Sequence, residues 1–323
     1  MGTVAETHGR IVMVQKDSCR LLVRMLLQIV ALLEGLSIVS GQAFAAGFYK
    51  GVDDLGNQIV LESPAVRIVS LAPHLTEILF ELGVGDNIIA TVSYADFPVE
   101  AKQIPRVGDA FSVNVEQLVA MQPDIIFAWE TGGANKSLKR LESLGFTIFR
   151  NEAPTLAGIA DTIEQIAVLV GKAEAGLLLS HQYRARMAQL ARVPVINGST
   201  EVNSARVFFQ ISDQDLYTVN GQHLIGQAIK LCGGENLFEG VPISVPLANL
   251  ESVLRGQPDI IFITRLPATP ASPWEDRWGQ LLGDRTQILP VDPNLISRPS
   301  TRMLDGVEFM CSAIRGGRQV IAH

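Results

Sequence analysis

The sequence has few of the residues and motifs from which catalytic and metal sites are built. The 323 residues include three cysteines and five histidines, and they contain no G-x-S-x-G, H-E-x-x-H or P-loop motif. A zinc or manganese receptor needs three or four converging histidine and carboxylate ligands. Beyond the first 46 residues the histidines are His74, His181, His223 and His323. We therefore expect neither an enzyme nor a zinc or manganese receptor.

The chain also lacks an excess of positive charge. It has 26 Lys and Arg against 33 Asp and Glu, a formal net charge of -7. Nucleic-acid binding needs a basic face for the phosphates, so no nucleic-acid partner is expected. Hydrophobic residues make up 47% and charged residues 18%, a composition typical of a folded chain long enough for one large domain or two lobes.

A long apolar run occurs at the beginning of the sequence. Arg20 and Arg24 precede MLLQIVALLEGLSIVS, and a small-x-small end follows at Ala43-Phe44-Ala45. This order predicts a cleavable secretory signal peptide over 1–46. The alternative is a retained membrane anchor, which Glu34 and the short apolar core disfavour. Two cysteines follow the leader, Cys232 and Cys311. An exported chain meets an oxidising compartment, so they form either a disulfide or two buried thiols.

Beyond the leader, short apolar strands alternate with helices. DDLGNQIVLES predicts a hairpin at a sheet edge, and segments such as RIVSL and DIIFAW are apolar throughout, as in strands covered on both faces. The pattern predicts an α/β fold of two Rossmann-like lobes with mostly parallel sheets, joined by a long interlobe helix. We predict an N-terminal lobe over 47–155, interlobe helices over 156–195 and a C-terminal lobe over 196–323.

One motif occurs twice, over 114–127 and 249–262, and we call it the repeat motif. The copies read NVEQLVAMQPDIIF and NLESVLRGQPDIIF. The asparagine is a good helix N-cap, the glutamate favours the positive end of the helix, and the proline ends it. The apolar Ile-Ile-Phe predicts a buried strand. The repetition indicates two lobes of similar build with space for a ligand between them.

The sequence resembles the class III periplasmic substrate-binding proteins of ABC importers. The segments that carry the resemblance are RIVSLAPHLTEILFELGVGD, SYADFP, the repeat motif and TVNGQHLIGQAIKLCGGENLF. They belong to a similarity that covers about 50–315. Within that class the chain is most similar to the cobalamin-binding component, although ferric-siderophore and haem receptors share the opening pattern. The resemblance implies capture of cobalamin between the lobes, no cofactor, a periplasmic location and delivery to a permease.

The resemblance also implies a set of ligand contacts on the loops that follow the strands. Tyr94, Phe111 and Trp129 correspond to corrin-contacting aromatics, and Val245 falls near the position of a second-lobe tryptophan. Asp292 and Arg298 resemble a late acid–arginine pair; the alternative is a surface pair of little consequence. Cys232 and Cys311 resemble a disulfide pair. The expected ligand contacts are Pro73, His74, Tyr94, Phe111, Trp129, Tyr217, Asp292 and Arg298.

His74 leaves two interpretations open. Neutral imidazole is a good metal ligand, cobalt included, so His74 could coordinate or hydrogen-bond a face of the corrin. The alternative is a hydrogen bond to a nearby backbone group.

Glu116 and Glu251 are the equivalent glutamates of the two copies of the repeat motif. By the resemblance they dock on arginines of a homodimeric ABC permease, which acts with its ATPase. A two-fold partner presents two equivalent sites, and a monomer with two similar lobes meets both. The alternative is a helix-dipole role for each carboxylate.

Overall fold

The computed structural model describes residues 48–109, 111–192, 204–212 and 214–320. The predicted signal peptide over 1–46 lies outside the described residues. From Phe48 onward the chain forms one compact unit. In the part of the chain that is described, no helix has both the length and the apolar character needed to cross a membrane.

The first element of the described residues is a hairpin with its own sheet. Strands β1 (Tyr49–Val52) and β2 (Gln58–Leu61) pair antiparallel and form a two-stranded sheet. The sequence predicted the hairpin correctly, but this hairpin is not an edge of either large sheet. Its turn reaches the N-terminal lobe instead, since Asp54 Oδ2 accepts hydrogen bonds from Asn151 Nδ2 at 2.6 Å and from Glu152 N at 2.8 Å.

The N-terminal lobe is a parallel sheet with helices between its strands. The strand order is β4-β3-β5-β6, and all neighbouring pairs are parallel. The strands are buried on both faces, and most of their residues are apolar. The elements are β3 (Ile68–Ser70), α1 (Pro73–Glu81), β4 (Ile88–Thr91), α2 (Val115–Met121), β5 (Ile125–Trp129), α3 (Asn135–Ser143) and β6 (Ile148–Asn151).

Two helices connect this lobe to the next. They are α4 (Gly158–Leu169) and α5 (Ala173–Leu190). Gly171 lies between them with a φ of +70°, a conformation that side chains disfavour. The 18 residues of α5 correspond to a helix about 27 Å long, so the long interlobe helix is confirmed.

The C-terminal lobe repeats the strand arrangement of the first. Its order, β8-β7-β9-β10, matches β4-β3-β5-β6 strand for strand, and it is again parallel throughout. The predicted fold class is therefore confirmed. The elements are β7 (Arg206–Gln210), α6 (Leu224–Leu231), β8 (Glu235–Asn236), α7 (Leu250–Gly256), β9 (Ile260–Thr264), α8 (Pro273–Leu282), β10 (Gln287–Val291), α9 (Pro293–Ile296) and α10 (Met303–Val320).

Aromatic side chains fill much of the interior of both lobes. The rings of Phe127 and Phe149 lie 5.4 Å apart between β5 and β6. In the C-terminal lobe Trp278 is fully buried against Phe208 and lies 5.2 Å from the ring of Trp274. Each such buried ring contributes about 1.5–3 kcal/mol relative to exposure.

The two copies of the repeat motif have the same local structure. Asn114 and Asn249 cap α2 and α7 by accepting from the backbone amide three residues on, at 2.9 and 2.7 Å. Each helix ends at a glutamine with a φ of 45°. Each copy then continues into a buried strand, β5 or β9. The predicted caps, helix ends and strands are confirmed.

A disulfide joins Cys232 to Cys311 within the C-terminal lobe. The sulfurs are 2.00 Å apart, and the bond links the end of α6 to α10. The pairing implied by the family resemblance is present, and the alternative of two free thiols is not.

Candidate functional site

Three aromatic side chains collect at one edge of the N-terminal sheet. Tyr94 follows β4 and Trp129 ends β5, and the carboxyl ends of parallel strands meet at the same edge. Phe111 lies against the loop after Trp129, since a Cβ on Gly133 would be 2.7 Å from its ring. Tyr94 is 77% and Phe111 73% exposed. This edge thus exposes two aromatic side chains to solvent.

Trp129 is held more firmly than the other two rings. It is half-buried against the main core and meets the His74 ring edge-on, with the ring centroids 6.1 Å apart. The turn after it is anchored because Glu130 forms an ion pair with the buried Arg150, which also binds Glu142 at 2.8 Å. Sequence reasoning missed Arg150, whose one available signal was a charged residue in an apolar strand.

His74 lies in the first turn of α1 and is only 4% exposed. Its Nε2 is 2.6 Å from Asn151 Oδ1, which can only accept, so Nε2 carries the proton and donates. Burial lowers the His74 pKa from 6.5 to about 4, and the ring is neutral at pH 7. Nε2 is thus bonded within the protein, as the second interpretation expects, although the partner is a side chain and not a backbone group. Pro73 precedes it, half-buried, at the first position of α1.

The facing edge of the C-terminal sheet is lined by aliphatic side chains and one tyrosine. Tyr217 is bridged antiparallel to Leu247, and both point to solvent. Ile243 and Val245 are exposed on the same segment. Val245, which falls near the position of the family's second-lobe tryptophan, is therefore part of an aliphatic surface. We call Tyr217, Ile243, Val245 and Leu247 the apolar ledge.

Asp292 and Arg298, which resemble the late acid–arginine pair of the family, do not form an ion pair with each other in the structure. Asp292 caps α9, accepting from Asn294 N at 2.9 Å. Arg298 turns toward the N-terminal lobe and binds Glu77 and Asp96, each at 2.9 Å. Both groups lie next to the carboxyl edge of β10, but they have separate partners.

Glu116 and Glu251 lie in the first turns of α2 and α7. Their side chains are 76% and 82% exposed. Each faces an arginine of its own lobe, Arg140 at 3.5 Å and Arg255 at 2.8 Å. Such exposed pairs contribute little to stability, so both carboxylates are accessible to a partner.

Metal-ligating side chains do not cluster in the described residues. No group of three or more His, Cys, Asp or Glu residues there could hold a metal ion. The candidate site therefore consists of two exposed apolar edges, one on each lobe, and the lobes are connected by ion pairs.

Comparison with known proteins identifies the fold and the family. Residues 68–273 match the family model described as "Periplasmic binding protein". A vitamin B12-binding protein of Vibrio cholerae serotype O1 is 32% identical over 253 residues, covering 78% of this chain and 90% of the relative. The vitamin B12-binding protein of Vibrio campbellii is 32% identical over 258 residues, covering 79% and 92%.

Comparison with solved structures identifies the same family. The crystal structure of the periplasmic vitamin B12 binding protein BtuF of Vibrio cholerae has a TM-score of 0.70 at 32% identity, covering 79% of this chain and 99% of that one. The periplasmic heme-binding protein RhuT from Roseiflexus sp. RS-1, at 22% identity and a TM-score of 0.66, covers 78% and 99% and shares the fold. This chain belongs to the periplasmic binding protein family.

Proposed function

We propose that this protein captures cobalamin between its two lobes in the periplasm and delivers it to an ABC permease. The observation that carries the proposal is the 32% identity to vitamin B12-binding proteins over most of both chains. The predicted leader over 1–46 supports export. The function is binding and release, without chemical conversion of the ligand and without a cofactor.

The two lobe edges suit a wide, flat ligand. Corrin needs apolar area on its faces and a few polar groups around its amide fringe. Tyr94, Phe111 and Trp129 supply aromatic area from the N-terminal lobe, and the apolar ledge supplies aliphatic area from the other. Pro73 and Asp292 follow the carboxyl ends of β3 and β10, where further contacts to such a ligand are expected.

Haem and ferric siderophores fit these edges less well. A haem receptor needs an axial ligand, and His74 is unsuited to that role because it is buried with its Nε2 bound to Asn151, which leaves the exposed Tyr94 as the other candidate. An anionic siderophore needs free cations. Arg265 is paired with Glu275 at 3.4 Å, and Arg298 is paired with Glu77 and Asp96. These arginines are neutralised by the protein itself.

Delivery uses one carboxylate on each lobe. Glu116 and Glu251 occupy equivalent positions in lobes with the same strand order, and both are exposed. A homodimeric permease offers equivalent cationic sites in pairs, so a monomer of this protein can engage both at once.

Calorimetric titration of the purified protein tests the ligand. We expect one-to-one binding of cyanocobalamin with a dissociation constant at or below about 1 μM, and no heat from haem or a ferric hydroxamate. Binding of haem in place of cyanocobalamin would contradict the proposed ligand, and only the assignment of the fold and family would remain.

A further inference from the structure

A short segment of the C-terminal lobe, 298–302, reaches into the N-terminal lobe. Arg298 and Arg302 donate from Nη1 to Glu77 Oε1 at 2.9 and 3.0 Å, and Ser300 Oγ donates to Glu77 Oε2 at 2.6 Å. Glu77 lies on α1 and is only 1% exposed. A buried carboxylate is costly without compensation, and here the compensation comes from the other lobe. We call these four residues, with Asp96, the interlobe cluster.

Arg298 is the member of the cluster with the most partners. Its Nη1 also donates to Asp96 Oδ1 at 2.9 Å, while Nη2 donates to the Tyr94 carbonyl at 3.0 Å and to Asn294 Oδ1 at 2.7 Å. A guanidinium has five N–H bonds, and these contacts use the four on its terminal nitrogens. The side chain therefore has little hydrogen-bonding capacity left for a ligand.

The backbone conformation of Tyr94 needs to be stabilised by contacts from other residues. Its φ is +66°, in the left-handed region that bulky residues rarely adopt. Its side chain is largely exposed, so packing does not hold it. The backbone is held instead by a turn hydrogen bond from Ala95 N to the Val92 carbonyl at 3.3 Å and by two arginines, Arg298 on the Tyr94 carbonyl and Arg106 Nη2 on the Ala95 carbonyl at 2.7 Å. Of the two, Arg298 belongs to the opposite lobe.

We propose that Arg298 is a positioning residue for Tyr94 and not a ligand contact. By binding the Tyr94 carbonyl and Asp96 it keeps this loop in the left-handed conformation that aims the Tyr94 ring into the cleft. The placement of an aromatic wall on the N-terminal lobe thus depends on a side chain of the C-terminal lobe. The effect on ligand affinity rests on the proposed function, whereas the effect on Tyr94 itself does not.

A ligand-free experiment tests the positioning directly. The chain has four tyrosines, so labelling with 3-fluorotyrosine gives few fluorine NMR signals, and Tyr94→Phe assigns the one of interest. Arg298→Lys keeps a cation beside Glu77 but lacks the fork that reaches several acceptors. We expect it to shift or broaden the Tyr94 signal and to leave the signals of Tyr49, Tyr183 and Tyr217 in place. An unchanged Tyr94 signal would overturn the proposal.

Thr301→Val is the matched control. Thr301 Oγ1 donates to Glu81 across the same lobe boundary, but it does not contact the loop that carries Tyr94. This variant removes an interlobe hydrogen bond next to Arg298 and should leave the Tyr94 signal unchanged. If Thr301→Val shifts the Tyr94 signal as far as Arg298→Lys does, the shift results from the loss of any hydrogen bond between the lobes. The proposal of a specific role for Arg298 is then wrong.

Titration with cyanocobalamin separates positioning from direct contact. We expect Arg298→Lys and Tyr94→Ala each to weaken binding about tenfold, and the double variant to bind within about twofold of the weaker single one. A double variant whose loss of affinity equals the product of the two single losses would mean that Arg298 contacts the ligand itself, contrary to the proposal. A wild-type protein that does not bind cyanocobalamin would overturn the proposed function, and the fluorine spectrum would still decide the position of Tyr94.

Discussion

The three aromatic residues of the N-terminal edge differ in what holds them. Tyr94 and Phe111 are mostly exposed, whereas Trp129 packs on the core and against His74. A side chain that is exposed in the free protein contributes little to folding, but it gains contacts when a ligand covers it. Binding and stability can therefore be separated residue by residue.

Alanine substitutions at these positions should show that separation. Tyr94→Ala and Phe111→Ala should each weaken cyanocobalamin binding about tenfold, with the free energy of unfolding within about 0.5 kcal/mol of wild type. Trp129→Ala should weaken binding as well and also cost about 2 kcal/mol of stability. Titration calorimetry and urea unfolding measure the two quantities. Equal stability losses at all three positions would contradict the assignment of Tyr94 and Phe111 as exposed ligand walls.

His74 makes the stability of the protein depend on pH. Its folded-state pKa, about 4, lies below the ordinary value of 6.5, so the unfolded chain takes up the proton first as the pH falls. The stabilisation is complete above pH 6.5 and is lost progressively toward pH 4, by roughly 3 kcal/mol in all.

Replacing His74 by glutamine should remove this dependence. Urea unfolding at pH values above and below 6.5 should show a smaller loss of stability on acidification in His74→Gln than in wild type. His223, whose pKa burial also lowers, contributes equally to both proteins and cancels. The visible spectrum of bound cobalamin should not change in the variant. A changed spectrum would restore His74 as a ligand of the cobalt.

Contacts between distant positions explain why some of the site could not be predicted. The aromatics at strand ends and the repeat motif were visible because each depends on a few neighbouring residues. Arg298 and Glu77 are 221 positions apart, and the sequence around Arg298 gave no reason to pair it with one acid over another. A signal did exist. Glu77 and Glu81 are the acidic residues of the mostly apolar α1 and lie four residues apart, and Arg298 and Arg302 have the same spacing in the facing segment.

At the scale of elements, the aspartate of the repeat motif has a structural role that helix and strand propensities did not reveal. Asp124 Oδ2 accepts from the backbone amides of Val66 and Arg67 at 2.9 and 2.8 Å, and Asp259 Oδ2 accepts from Arg206 N at 2.7 Å. Each carboxylate thus fixes the start of the central strand of its sheet. The cap, the helix end and the buried strand were predictable from local chemistry, but this contact depends on a strand far away in sequence.

The disulfide between α6 and α10 should stabilise the C-terminal lobe. It connects positions 79 residues apart, and cross-links of this kind typically contribute about 2–4 kcal/mol by restricting the unfolded chain. We expect Cys232→Ser/Cys311→Ser to lose about that much in urea unfolding. Reductant should destabilise the wild type to a similar extent and leave the double variant unaffected, which serves as the control. A double variant as stable as wild type would show that the bond makes no net contribution.

At the scale of the whole molecule, two lobes with the same strand order present equivalent carboxylates. We expect Glu116→Arg with Glu251→Arg to abolish cobalamin uptake in cells, because each new cation faces a cationic site on the permease. Affinity for cyanocobalamin should stay within about threefold of wild type, since both side chains are exposed and each pairs with an arginine of its own lobe, not with a proposed ligand contact.

The arginines beside these carboxylates supply the control. Arg140 lies on α3, the helix after that of Glu116, and Arg255 lies on α7 with Glu251. The double variant Arg140→Glu with Arg255→Glu therefore reverses the charge beside both docking carboxylates and leaves the carboxylates in place. Uptake should persist in this variant. Normal uptake by the Glu116→Arg, Glu251→Arg protein would remove the docking role and leave only a helix-dipole role for the two glutamates.

The distribution of tryptophan gives the protein a built-in optical reporter. Of its three tryptophans, Trp129 stands at the edge of the cleft, while Trp274 and Trp278 are stacked together in the C-terminal lobe. Trp274 is exposed enough to carry Arg277 over its ring, and its replacement by phenylalanine keeps the packing of the fully buried Trp278. The emission of such a variant would come from one buried and one cleft-side indole. Quenching by an absorbing ligand would then follow its arrival beside Trp129 in real time, with no label attached.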